Sequence, residues 1–259
     1  MMTRTDPETE LAYDLDGTGT PVVFLHGLTF DRRTWGPIIE RLDSSVRSIA
    51  IDLPAHGDSG GKPADVADVA DRVHCLLKSL GVDQPVVVGH SMSAAIAGIY
   101  AAMYPTLGFV YVDQGIEVLP FAQLLHQMAP ALRGPGFPEV WQTIEESLGL
   151  DFLPEPTRSQ VLATHQVKQD VVLGYWDQVL RTDPAELQAW IDALMTRVTA
   201  PGLAVFGRPL TEGERLRFDR LPDVRIEAWP GSGHFVHLVD PERFTDTLRQ
   251  FVVHCDQTA

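Results

Sequence analysis

Residues 86–95 read Val-Val-Val-Gly-His-Ser-Met-Ser-Ala-Ala. An apolar β-branched run ends at Gly89, Ser91 follows two positions later, and small residues then open an apolar stretch with helical spacing. This is the pattern of a nucleophile elbow: a strand, a sharp turn with serine at its tip, and a helix. Such a turn lifts the hydroxyl out of the sheet and strains the serine backbone. The residues two before and two after must therefore be small, and they are Gly89 and Ser93. A Gly-x-Ser-x-small pattern recurs by chance in roughly one chain in four of this length, so the flanking sequence has to carry the reading.

Outward from the elbow, strand-like and helix-like segments alternate. Strands are expected at 10–16, 21–25, 46–51, 86–88 and 109–112, with helices at 35–42 and 65–80 and from Ser91 to about 104. From about 116 to 200 the strands vanish, and helical segments are expected at 119–132, 139–148, 157–165, 169–181 and 184–198. The alternation returns with strands at 203–206 and 224–228 and helices at 212–221 and 242–253. This order predicts an α/β fold with a doubly wound, mostly parallel sheet. Residues 1–115 and 200–259 would form the core, and 116–199 a helical cap inserted before the last two core strands. Ligands of such sheets sit at the carboxyl ends of the strands, where His26, Asp52, Ser91 and Asp113 all fall.

Composition bounds the function. The chain has 259 residues, 44% hydrophobic and 21% charged, enough for one large domain with a sizeable core. It has no apolar run of membrane-spanning length and no apolar secretory segment at its start, so a cytoplasmic location is expected. Cys75 and Cys255 are expected to be reduced thiols, and neither has metal-ligand spacing. The net charge of −15 argues against nucleic acid and against an anionic membrane surface. No metal is expected, and the chain is expected to be a monomer or homodimer.

Together these pieces resemble the α/β-hydrolases. The matching residues are His26-Gly27 after an early strand, Asp52-Leu53-Pro54-Ala55-His56-Gly57-Asp58-Ser59, the elbow, and Gly233-His234 before the last helix, in the family's order. The resemblance implies Ser91 as nucleophile and His234 as the base a serine hydroxyl needs. It also implies backbone N–H groups of Met92 and Leu28 as an oxyanion hole. The bland alternative for Ser91 is a helix N-cap, and His237 is the rival base. Ser93 stands where glycine is commoner. Gly-His-Ser-x-Ser-Ala also occurs in the branch holding plant strigolactone and karrikin receptors and a bacterial stress-signalling hydrolase.

The acid departs from the family's usual pattern. Where Gly-x-x-Asp is expected after the 203–206 strand, the chain reads Gly207-Arg208-Pro209-Leu210, and leucine cannot serve. Some relatives, haloalkane dehalogenases and certain lactone hydrolases among them, carry the acid one strand earlier, where Asp113 lies. Glu212 and Glu214 are the alternatives. Phe30, Trp35, Met92, Trp141, Trp176 and Phe235 are candidates to line an apolar pocket, although packing accounts for each equally well. The expected activity is a cofactor-independent serine hydrolase of the carboxylic ester class. It would cleave an ester, lactone or thioester of a small, fairly apolar molecule through an acyl-enzyme. A small-molecule receptor with a slow hydrolase site is an alternative, as is a cofactor-free dioxygenase or lyase using a His–Asp pair. Serine rather than aspartate at the elbow argues against epoxide hydrolase or dehalogenase chemistry.

Overall fold

The computed structural model describes residues 3–258. Its strands are β1 (Arg4–Thr5), β2 (Ala12–Asp16), β3 (Thr20–Leu25), β4 (Val46–Ile51), β5 (Val86–His90), β6 (Gly108–Val112), β7 (Gly202–Phe206) and β8 (Val224–Ala228). They form one sheet in the order β1-β2-β4-β3-β5-β6-β7-β8. β1 and β2 pair antiparallel at one edge, and every pair from β4 to β8 is parallel.

The central strands are apolar throughout because both faces are covered. Alternate residues divide between two cores. Val22, Phe24, Val86, Val88, Val110, Val112, Leu203 and Val205 face one way. They pack with Ile38 of α1 (Gly36–Ile39) and with Phe244, Leu248 and Val252 of α12 (Pro241–Thr258). Val23, Leu25, Val87, Phe109, Ala204 and Phe206 face the other way. These meet Val69, Val73 and Leu76 of α2 (Val66–Ser79) and Ile96, Ile99 and Tyr100 of α3 (Met92–Met103). Each buried Val, Leu or Phe contributes about 1.5–3 kcal/mol. α2 starts where Asp65 accepts hydrogen bonds from the Ala67 and Asp68 amides.

Between β6 and β7 the chain is helical: α4 (Leu119–Arg133), α5 (Phe137–Ser147), α6 (Thr157–Thr164), α7 (Gln169–Tyr175), α8 (Asp177–Arg181) and α9 (Pro184–Met195). This layer is tied to the sheet edge by Gln166 N–H donating to the Thr29 carbonyl (2.8 Å) and Tyr175 Oη donating to the Pro54 carbonyl (2.9 Å). His165 stacks on Phe30 with centroids 4.7 Å apart. After β7 come α10 (Glu212–Phe218) and, beyond β8, α11 (Val236–Val239).

Several boundaries differ from the sequence expectations. The helix expected at 169–181 is two helices, broken at Trp176, whose ψ of 3° leaves the helical range while its indole packs against Trp141 and Phe121. The helix expected at 35–42 is a 3-10 turn over Arg32–Trp35 followed by α1. β1 and α11 are two and four residues long, too short to show a period. Cys75 and Cys255 are unpaired. Among the described residues no helix is long and apolar enough to cross a membrane.

Candidate active site

β5 ends at His90 and α3 begins at Met92, so Ser91 alone makes the turn. Its φ of 56° and ψ of −131° lie in a region that costs a non-glycine residue about 1–3 kcal/mol. A Cβ on Gly89 would come within 2.0 Å of the Ser93 carbonyl oxygen, so the start of α3 can fold back on β5 only with glycine there. Ser93 is fully buried, and its hydroxyl donates to the His26 carbonyl. The Ser91 side chain makes no capping hydrogen bond to α3, although it stands at the N-cap. Its hydroxyl is therefore not committed to the structural use that serine commonly has there.

Asp113 follows β6, one strand over. Its N–H donates to the Val205 carbonyl (2.8 Å), and its φ of 51° turns the chain out of the sheet. Its carboxylate takes two hydrogen bonds: Oδ2 from His234 Nδ1 (2.8 Å) and Oδ1 from the Gly207 N–H (2.9 Å). The segment after β7 thus lacks an acid of its own and supplies instead a backbone donor to the carboxylate of the neighbouring strand. His234 arrives on a loop after β8 in which Gly231 (φ 91°) and Gly233 (φ 63°) adopt left-handed conformations open to glycine. A carboxylate on Nδ1 orients an imidazole, leaves Nε2 free to accept a proton, and stabilises the imidazolium that forms.

The other candidates are occupied elsewhere. Glu212 is exposed in the first turn of α10. Glu214 is buried, receives both Arg208 guanidinium nitrogens (2.8 and 2.6 Å) and closes a capping box with Thr211. Burial acts to raise the Glu214 carboxyl pKa, but Arg208 and Thr211 outweigh it and hold it below the ordinary value. His237 is fully buried, 4.6 Å from the Trp35 ring, and neither ring nitrogen has a partner among the described residues. Burial first, then His234, pushes its pKa down to about 3, so it is neutral and enclosed. His26 donates from Nδ1 to the Gly27 carbonyl and accepts the Leu53 N–H at Nε2. His56 accepts the Thr29 N–H at Nε2 and donates from Nδ1 to the Pro54 carbonyl. Both are local turn contacts.

Ser91 and His234 open onto one cavity of about 340 Å³, with Leu28 and Met92 beside them. Phe30, Trp141 and Trp176, three of the candidates for an apolar pocket, line it. Trp35 and Phe235 do not. Trp35 is enclosed by Phe24, His237 and Phe244, and Phe235 packs beneath Phe30 and His90. One wall missed by the sequence reading is α9, whose Leu187, Trp190, Ile191 and Leu194 all face the cavity. Their i, i+3, i+4, i+7 spacing was a readable stripe. Among the described residues, no Asp, Glu, Lys or Arg side chain lines the cavity.

Comparison with known proteins matches this frame. A sheet of this order with a strained serine between β5 and α3 defines the class, and the model of the alpha/beta hydrolase family matches residues 22–247. The chain belongs to that family. It is similar to the 2-(acetamidomethylene)succinate hydrolase of Mesorhizobium japonicum, with 27% identity over 91% of this chain and 89% of that one. In fold it is similar to Est816, an N-acyl homoserine lactone degrading enzyme, with TM-score 0.72 and 24% identity over 93% of this chain and 96% of that one. A thermophilic esterase from Thermogutta terrifontis shares the fold with TM-score 0.68 and 23% identity, over 98% of each chain.

Proposed function

We propose that the chain is a cofactor-independent serine hydrolase that cleaves an uncharged ester, lactone or thioester through an acyl-enzyme. The carrying observation is the Asp113–His234 hydrogen bond beside a strained, uncapped Ser91 on one cavity. In this reading His234 Nε2 takes the proton as Ser91 Oγ attacks the carbonyl carbon. The Met92 and Leu28 amides receive the developing oxyanion, each donor worth about 3 kcal/mol. His234 then returns the proton to the leaving group, and water, activated by the same imidazole, releases the acyl group. The α4–α9 helices act as a cap over these groups and hold the apolar part of the substrate.

The cavity's lining supports a neutral substrate. Recognition of a carboxylate commonly uses an arginine fork or a lysine, and among the described residues neither an arginine nor a lysine lines this cavity. The Mesorhizobium relative is named for a succinate; the present cavity offers no cation for such a group. A neutral acyl group is the better fit to walls of Phe30, Trp141, Trp176 and Trp190, and Est816 is named for degrading an N-acyl homoserine lactone. The test compares p-nitrophenyl butyrate with p-nitrophenyl hemisuccinate. Expected is a kcat/KM at least about 100-fold higher for the neutral ester, equivalent to about 2.7 kcal/mol, with Ser91→Ala inactive on it. Comparable rates on both esters would sink the charge assignment. Full activity in Ser91→Ala would sink the nucleophile.

A further inference from the structure

The residue just before Ser91 is buried against the loop that carries His234. We propose that His90 is a positioning residue, which fastens the His234 loop to the strand and turn that carry Ser91. This inference rests on the Ser91–His234 reading above.

His90 is the last residue of β5 and is 2% exposed. Its Nε2 lies 2.9 Å from the backbone carbonyl oxygen of His234, 144 positions later in the chain. A carbonyl oxygen only accepts, so Nε2 carries the proton and donates. The imidazole is wedged among the rings of His234, Phe235 and His237, with centroids 4.8, 4.8 and 4.6 Å away. On another side it rests on Gly27, where a Cβ would come within 3.0 Å of its Nδ1. Gly27 precedes Leu28, one of the two amides assigned to the oxyanion. One buried ring therefore touches the nucleophile strand, the base loop and the oxyanion loop.

The loop needs such an anchor. Gly231 and Gly233 let it reach the sheet edge but leave its backbone intrinsically free. Asp113 holds the His234 ring at Nδ1, and His90 holds the His234 main chain. Two anchors on different strands restrict both the position of the imidazole and its tilt toward Ser91. A shift of about 1 Å in a catalytic group can cost about 100-fold in rate.

The experiment measures kcat and KM on p-nitrophenyl butyrate for the wild-type chain, Ser91→Ala, His90→Leu and His90→Gln, with thermal melts alongside. Leucine removes the donor, whereas the glutamine side-chain amide can place an N–H near the former Nε2. Expected for His90→Leu is a kcat about 10- to 100-fold lower with KM within about threefold, and for His90→Gln recovery to within about fivefold of wild type. Should His90→Leu fail to fold, His90→Met reads the same outcome with an unbranched side chain. A folded donorless variant with wild-type kcat overturns the proposal. So does a loss confined to KM, or a folded His90→Gln no better than the donorless variant. A wild-type chain without Ser91-dependent turnover overturns the hydrolase reading and this inference with it.

Discussion

Asp113 accepts one hydrogen bond from the His234 ring and one from the Gly207 backbone. Asp113→Asn should keep the side chain's shape but remove the charge that stabilises an imidazolium, and steady-state assays should show kcat down by up to about 10⁴. Glu212→Gln should leave kcat unchanged. Glu214→Gln should also keep kcat within about threefold but lower Tm by a few degrees, because it weakens the Arg208 pair and the capping box. The placement of Ser91, Asp113 and His234 was legible because each stands at a strand end or in a glycine-rich loop, where sequence order maps onto position. The aromatics were not. Trp35 and Phe235 belong to the core under the site and Trp190 to the cavity wall, and which way a ring faces depends on packing between distant segments. The His90–His234 contact left no local trace either, since its acceptor is a main-chain carbonyl that any residue would supply.

The connection after β7 shows how an element can serve the site without a reactive side chain. Gly207 donates its N–H to Asp113, accepts the Gly231 N–H at its carbonyl, and approaches Gly233 so closely that a Cβ would lie 1.9 Å from the Gly233 oxygen. Gly207→Ala should therefore displace the His234 loop. We expect lower kcat and lower Tm together, and a loss of Tm alone would detach this contact from function. At the elbow, Ser93→Ala removes the hydrogen bond to the His26 carbonyl and should lower unfolding free energy by about 1 kcal/mol in urea titrations. Apolar strands and helices such as α2 and α4 were read close to their observed limits, whereas α12 runs five residues beyond the expected 253. β1, α11 and the break at Trp176 were not, because two to four residues carry no period and the break follows the packing of one indole.

Across the molecule, four buried histidines make stability depend on pH. Burial lowers the pKa of His26 to about 4, of His56 to about 3 and of His237 to about 3, and takes His90 well below its ordinary value. In the unfolded chain these groups titrate near 6.5. Above that pH both states are neutral and nothing is gained or lost. Between about 6.5 and 4 the unfolded state binds protons that the folded state refuses, so stability falls as the pH is lowered, by about 1.4 kcal/mol per unit for each of His26, His56 and His237, and His90 acts in the same direction. Urea unfolding at pH 7 and pH 5 should differ by several kcal/mol, and a flat profile would contradict burial of these rings in neutral form. His234, by contrast, is 19% exposed and lines the cavity. The most direct measurement is reaction of the folded chain with a fluorophosphonate probe, followed by peptide mass spectrometry. One adduct is expected, on Ser91, formed far more slowly in His234→Ala. Absence of labelling, or an adduct on another serine with Ser91 intact, would contradict it.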